Sequence, residues 1–174
     1  MQNAFADICK NSTITGVLHA NSQTGCTFGS FVQLGTPPSP VPLPITAADI
    51  QSWKDAAQAG GTIAGGYELS GSAAATLGPK KITGNVEIED SAILTLQGTL
   101  WVTGNVNVKN SARVKLASSY GATSGVIVAD GTITLENNSV SEGSGNPASY
   151  LIYFSTNSAN PALIIKNNAV ADIL

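Results

Sequence analysis

The 174-residue chain predicts an all-β fold: a right-handed parallel β-helix, a solenoid, with one short N-terminal capping α-helix. Three observations carry this reading. From Thr62 onward one unit recurs, first at offsets of 19 and 20 residues and then at 27 and about 30. Inside each unit apolar and polar residues alternate with period two, the signature of a half-buried strand. A residue from the Gly/Asp/Asn set stands at the same place in every unit, as a left-handed corner requires. The right-handed sense follows from the strong preference of parallel crossovers for that hand.

Taken in order, residues 1–35 are small, polar and Gly-punctuated, with short β-branched pieces such as Thr13-Ile14-Thr15-Gly16-Val17-Leu18. They read as a β-rich segment. Cys9 and Cys26, the two cysteines of the chain, lack the Cys-x-x-Cys or Cys/His neighbourhood of a zinc or redox site. They are expected either to form a disulfide, contributing roughly 3 kcal/mol, or to be two independent buried thiols. Residues 36–45 hold five of the eight prolines and predict an extended strap that can neither continue a helix nor enter a central sheet. An SH3-type ligand is the alternative reading of that strap.

Residues 46–60 carry the helix signal. Thr46 fits an N-cap, Asp49 sits three residues on where an acid favours the N-terminus, Ile50, Trp53 and Ala57 share one face, and Gly60-Gly61 ends the run. The helix directly precedes the first repeat, so its apolar face is expected to cap the open end of the coil, with Trp53 near Ile63 and Tyr67. An uncovered end would be a template for pairing.

Residues 61–174 are the coil. Ile82-Thr-Gly-Asn-Val-Glu-Ile-Glu-Asp-Ser-Ala-Ile-Leu-Thr-Leu96 aligns with Val102-Thr-Gly-Asn-Val-Asn-Val-Lys-Asn-Ser-Ala-Arg-Val-Lys-Leu116, and looser copies lie on either side. The turn column is Gly71, Asp90, Asn110, Asn137 and Asn167. Glu89, Lys109, Glu136 and Lys166 form a second column whose sign alternates, which favours in-register stacking. The same alignment places Trp101, Val128 and Tyr153 in one outward column, with Leu100, Ile127 and Ile152 as inward neighbours. That ridge either packs beneath the N-terminal zone or the strap, or is a contact surface for a partner protein or a glycan. The last rung is apolar up to Leu174, so further rungs beyond 174 or end-to-end self-association are expected.

Composition narrows the chemistry. Charged residues make up 11% of the chain and the net charge is −3, which excludes an electrostatic nucleic-acid binder. No apolar run is long enough for membrane insertion. With one histidine, His19, and one arginine, Arg113, no catalytic residues, metal ligands or cofactor site can be assembled by pattern. Glu68, Glu87, Glu89 and Asp90 cluster, but glycosidic hydrolysis needs one carboxyl kept protonated beside one ionised. Outward and corner positions would leave all of these solvated and ionised.

Several stretches carry a resemblance: Cys9-Lys-Asn-Ser-Thr-Ile-Thr-Gly, the Pro-rich strap, Asp49-Ile-Gln-Ser-Trp-Lys-Asp-Ala-Ala-Gln-Ala-Gly-Gly-Thr-Ile, Leu77-Gly-Pro-Lys-Lys-Ile-Thr-Gly-Asn, Leu100-Trp-Val-Thr-Gly-Asn and Ser118-Ser-Tyr-Gly. The chain resembles, over nearly its whole length, surface proteins of uncultured small-genome bacteria that look like a pilin-like or anchored N-terminus followed by a β-helix. That family supplies no activity or site residues; it implies a secreted or cell-surface location. The Ile-Thr-Gly-Asn-Val-x-Ile rhythm is also similar to bactofilins, which form cytoplasmic polymers. The expected function is therefore non-catalytic: a structural or adhesive cell-surface protein. A bactofilin-like scaffold and a polysaccharide-binding or polysaccharide-cleaving protein are the alternatives.

Overall fold

The computed structural model describes residues 3–35 and 45–171. The Pro-rich strap, except Ile45, and the last expected residues Asp172, Ile173 and Leu174 lie outside them. The chain divides into two compact units, Met1–Pro44 and Ile45–Leu174.

The first unit is a parallel three-stranded sheet in the order β1 (Ala4–Lys10), β2 (Thr13–Thr24), β3 (Thr27–Gln33). Consecutive strands pair in parallel, Ala4 with Leu18 and Thr13 with Thr27. The chain thus returns to its own direction after 14 residues, the offset of both pairs, and forms a short coil of its own. Its corners are Asn11 and Gly25, both at positive φ (47° and 66°) and spaced by the same offset. A small core of Cys9, Leu18 and Ala20 lies inside.

The second unit is a parallel β-helix, with five rungs among the described residues. The first rung is β4 (Thr62–Ile63), β5 (Tyr67–Leu69) and β6 (Ala74–Leu77), and the second is β7 (Lys80–Ile82), β8 (Val86–Ile88) and β9 (Ile93–Leu96). The third is β10 (Leu100–Val102), β11 (Val106–Val108) and β12 (Arg113–Leu116). The fourth is β13 (Gly125–Ala129), β14 (Ile133–Leu135) and β15 (Val140–Glu142), and the fifth is β16 (Leu151–Ser155), β17 (Leu163–Ile165) and β18 (Val170–Ala171). Corresponding strands stack into three parallel sheets: β4-β7-β10-β13-β16, β5-β8-β11-β14-β17 and β6-β9-β12-β15-β18. Tyr67 pairs with Val86, Val86 with Val106, Val106 with Ile133 and Ile133 with Leu163, the register that the repeat predicts.

Alternation decides the core. Val86, Ile88, Leu94, Leu96, Leu100, Val102, Val106 and Val108 point inward and are buried. At one corner the rungs approach so closely that only glycine fits: a Cβ on Gly104 would lie 2.8 Å from the carbonyl carbon of Gly84. The adjacent Asn85 and Asn105 accept backbone N–H bonds from Asn105 and Thr132 at 2.9 Å.

The single α-helix of the described residues, α1 (Ala47–Ala59), begins where the sequence places it, with Thr46 and Asp49 forming a reciprocal capping box. Ile50 and Trp53 are half-buried and Ala57 is fully buried, so the predicted face is the packed one. Its position differs from the expected one across the first rung. It lies along the side of the coil, against β7, β10 and β13, and Trp53 meets Phe154 of the fifth rung rather than Ile63 and Tyr67. The reason is geometric: 13 helical residues span about 20 Å, close to the ~19 Å covered by four rung spacings. An axial placement therefore buries the face against several rungs at once.

Candidate functional site

The expected ridge exists in part. Trp101 pairs with Val128, and Val128 pairs with Phe154. Tyr153 does not belong to the column: it pairs with Ile127, which pairs with Leu100, on the inward face. A slip of one residue reverses the side-chain direction in a strand, and the fifth rung lacks the Gly step that fixes the count in the earlier ones. Tyr153 packs against the core and its hydroxyl hydrogen-bonds with Ser141 at 2.9 Å. Burial pushes that phenol well above the usual tyrosine range, against the weaker opposing effect of the Ser141 bond.

Helix α1 covers the ridge. The Trp53 ring meets Phe154 edge-on at 5.9 Å between centroids. The Lys81 and Lys54 ammonium groups stand 3.8 and 5.1 Å from the Trp101 ring centre. Beneath them Asp130 accepts bonds from Lys54 Nζ at 2.6 Å, Trp101 Nε1 at 2.9 Å and Thr156 Oγ1 at 2.8 Å. Burial pushes the Asp130 carboxyl up, but these three donors together hold it below the usual aspartate value. The Trp101–Val128–Phe154 column is thus an internal seam joining helix to sheet. Phe154, Lys54 and Asp130 are residues that sequence reasoning missed. No count along the chain marks Phe154, because the corner between β16 and β17, residues 156–162, is longer than residues 103–105 and 130–132 at the same corner of the two preceding rungs.

The turn column does bring its members together. Gly71, Asp90, Asn110, Asn137 and Asn167 all have positive φ, at 67°, 62°, 57°, 54° and 53°. Each opens a tight turn; in the third rung, for example, Ala112 N–H donates to the Lys109 carbonyl at 3.2 Å. The asparagine amides form a ladder, Asn167 Nδ2 donating to Asn137 Oδ1 at 2.9 Å and Asn137 Nδ2 to Asn110 Oδ1 at 3.2 Å. Beside them Lys109 pairs with Glu89 at 3.1 Å and Glu87 at 3.4 Å, and Lys166 with Glu136 at 2.8 Å. The Glu89 bond is the main reason that the Lys109 pKa is raised.

In the first unit Cys9 and Cys26 are joined as a disulfide across 17 residues of sequence. His19 stacks on Phe5 with ring centres 4.3 Å apart.

Among the described residues an open groove of about 660 Å³ lies on the outer face of β9, β12 and β15. Thr95, Lys115 and Glu142 line its floor, and Ser118, Asn146 and Pro147 its walls. Its signal in the sequence was the lengthening of the repeat from 20 to 27 and then 30 residues. The lining offers one carboxylate, Glu142, which is tied to Arg113 at 2.7 and 2.8 Å; glycosidic hydrolysis uses two. Among the described residues no group of three or more His, Cys, Asp or Glu side chains could hold a metal ion. No helix of the described residues is long and apolar enough to cross a membrane. No family model, curated protein or solved structure matches the chain.

Proposed function

We propose that this chain is a non-catalytic structural protein of the cell surface, with the β-helix as a rigid body that holds or presents other groups. The observation that carries the reading is the use made of charge. Each ion pair of the described residues joins one rung to the next or joins α1 to a rung: Lys109 to Glu87 and Glu89, Arg113 to Glu142, Lys166 to Glu136, and Lys54 to Asp130. Paired in this way along the coil, these groups stiffen it and do not converge on a reacting centre. The Cys9–Cys26 disulfide supports a location outside the reducing cytoplasm, in line with the resemblance to bacterial surface proteins.

The test is protease shaving and surface biotinylation of intact cells carrying the natural protein, followed by thiol titration. The expected result is surface labelling with no free thiol. Recovery from the cytoplasm alone, with Cys9 and Cys26 reduced, would overturn the surface reading.

One observation favours a second reading, the bactofilin-like scaffold. In the described residues β16, β17 and β18 are the last strands of their sheets, and Leu163 and Ile165 of that rung are 46% and 44% exposed. A second copy pairing there in parallel would extend all three sheets. Sedimentation equilibrium decides it: mass rising with concentration supports the scaffold, and a monomer at all concentrations removes it.

A further inference from the structure

We propose that the groove over β9, β12 and β15 is a binding site for a carboxylate-bearing saccharide, anchored by the ammonium group of Lys115. The proposal goes beyond the structural role, which requires no ligand.

The groove is built by loops that the coil does not need. The second rung passes from β9 to β10 through residues 97–99, whereas the third and fourth rungs take residues 117–124 and 143–150 to turn the same corner. The two long loops are fastened to each other. Ser144 Oγ donates to the Gly121 carbonyl at 2.5 Å, Ser149 Oγ to the Thr123 carbonyl at 2.7 Å, and Tyr150 N–H to Ser124 Oγ at 3.1 Å. Such cross-linking gives a fixed wall beside the sheet, as a preformed site requires. The volume of the groove, about 660 Å³, falls within the ~300–1,000 Å³ typical of ligand sites.

The charges of the floor call for an anion. Lys115 is in register with Glu142 of the next rung, yet the Glu142 carboxylate turns two residues back to engage Arg113 through both oxygens. Among the described residues the ammonium group of the half-buried Lys115 has no ion-pair or hydrogen-bond partner. The loops 117–124 and 143–150 contain no charged residue. Arg113, Lys115 and Glu142 together therefore leave one net positive charge beside neutral walls, on a chain whose net charge is −3. A carboxylate seated at Lys115 would form a charge-assisted bond, while Arg113 neutralises the repulsion from Glu142.

The rest of the lining selects a polyhydroxylated ligand over a peptide. Thr95, Ser118 and Asn146 present hydroxyl and amide groups, and Glu142 can accept from ligand hydroxyls. Strand β12 is paired on both sides, with β9 and β15, so no edge is free for an added peptide strand. No aromatic side chain lines the groove as an anchor pocket.

The test is an amide NMR titration of the full chain with trigalacturonate, with maltotriose, acetate and a glutamate-rich hexapeptide as comparison probes. Saturable shifts at Ser118, Ser144 and Asn146 are expected with trigalacturonate and not with the other three. Lys115→Ala should weaken binding by roughly tenfold or more, Lys115→Arg should retain it, and Lys10→Ala in the first unit should have no effect. Should Lys115→Ala fail to fold, Lys115→Gln replaces it. Absence of shifts, equal binding of maltotriose or the peptide, or binding indifferent to Lys115 would overturn the proposal. None of these outcomes bears on the surface-labelling test of the structural role.

Discussion

Asn110→Val probes the corner that sets the coil. Asn110 and Ser111 occupy the middle of the turn at φ 57° and 68°, a region that a β-branched residue enters at a cost of about 1–2 kcal/mol. Valine also removes the Oδ1 atom that accepts the 3.2 Å bond from Asn137, a loss of about 0.5–1.5 kcal/mol. Together they predict a destabilisation of roughly 1.5–3.5 kcal/mol. Asn110→Gly separates the two effects, because glycine loses the same bond but adopts positive φ freely. The valine variant should therefore fall below the glycine variant by about 1–2 kcal/mol. Equilibrium urea denaturation followed by tryptophan fluorescence suits the measurement, since both tryptophans, Trp53 and Trp101, lie in the second unit. Equal midpoints for the valine and glycine variants would refute the account of the turn column.

Other consequences of the structure can be checked in the same way. Trp53→Ala and Phe154→Ala should each destabilise the coil, and their double-mutant cycle should show about 0.5–1.5 kcal/mol of coupling from the edge-on pair; strictly additive losses would mean that the helix does not sit on the fifth rung. Asp130 has a folded pKa below the ordinary 3.8, so the stability it lends is whole above that value and is lost as pH falls through the folded pKa. Asp130→Asn should flatten this acid limb in urea midpoints taken across pH 2–5. Lys109 has a folded pKa above the ordinary 10.5, so its contribution is whole below 10.5 and fades as pH rises through the folded value. Lys109→Met should remove that alkaline loss, read from melts above about pH 10. Replacing Cys9 and Cys26 together by alanine should cost the first unit about 3 kcal/mol, seen as faster amide exchange in β1–β3; unchanged exchange there would refute the estimate.

The sequence by itself determined what repeats locally. Period-two alternation, the Gly/Asp/Asn corners and the spacing of Glu89, Lys109, Glu136 and Lys166 are each decided by a few neighbouring residues, and a parallel coil stacks like on like. For Cys9 and Cys26 the sequence left two readings, a disulfide or two buried thiols, and the structure joins them. The 14-residue coil of the first unit was harder to read, since Asn11 and Gly25 match in backbone conformation and not in side chain.

Tertiary structure decided whatever depends on which surfaces meet. The apolar stripe of Ile50, Trp53 and Ala57 can be read from helical spacing, but the choice between the end of the coil and its flank belongs to the length of the helix and to Asp130, Trp101 and Phe154 across from it. Tyr153 turned inward because a one-residue slip in a strand reverses a side chain, and a missing glycine hid that slip. The groove at Lys115 and Glu142 arose because two lengthened corners stack on each other and Arg113 draws Glu142 aside. Residues far apart in sequence meet there, and a period counted along the chain carries no record of which partner a charge will choose.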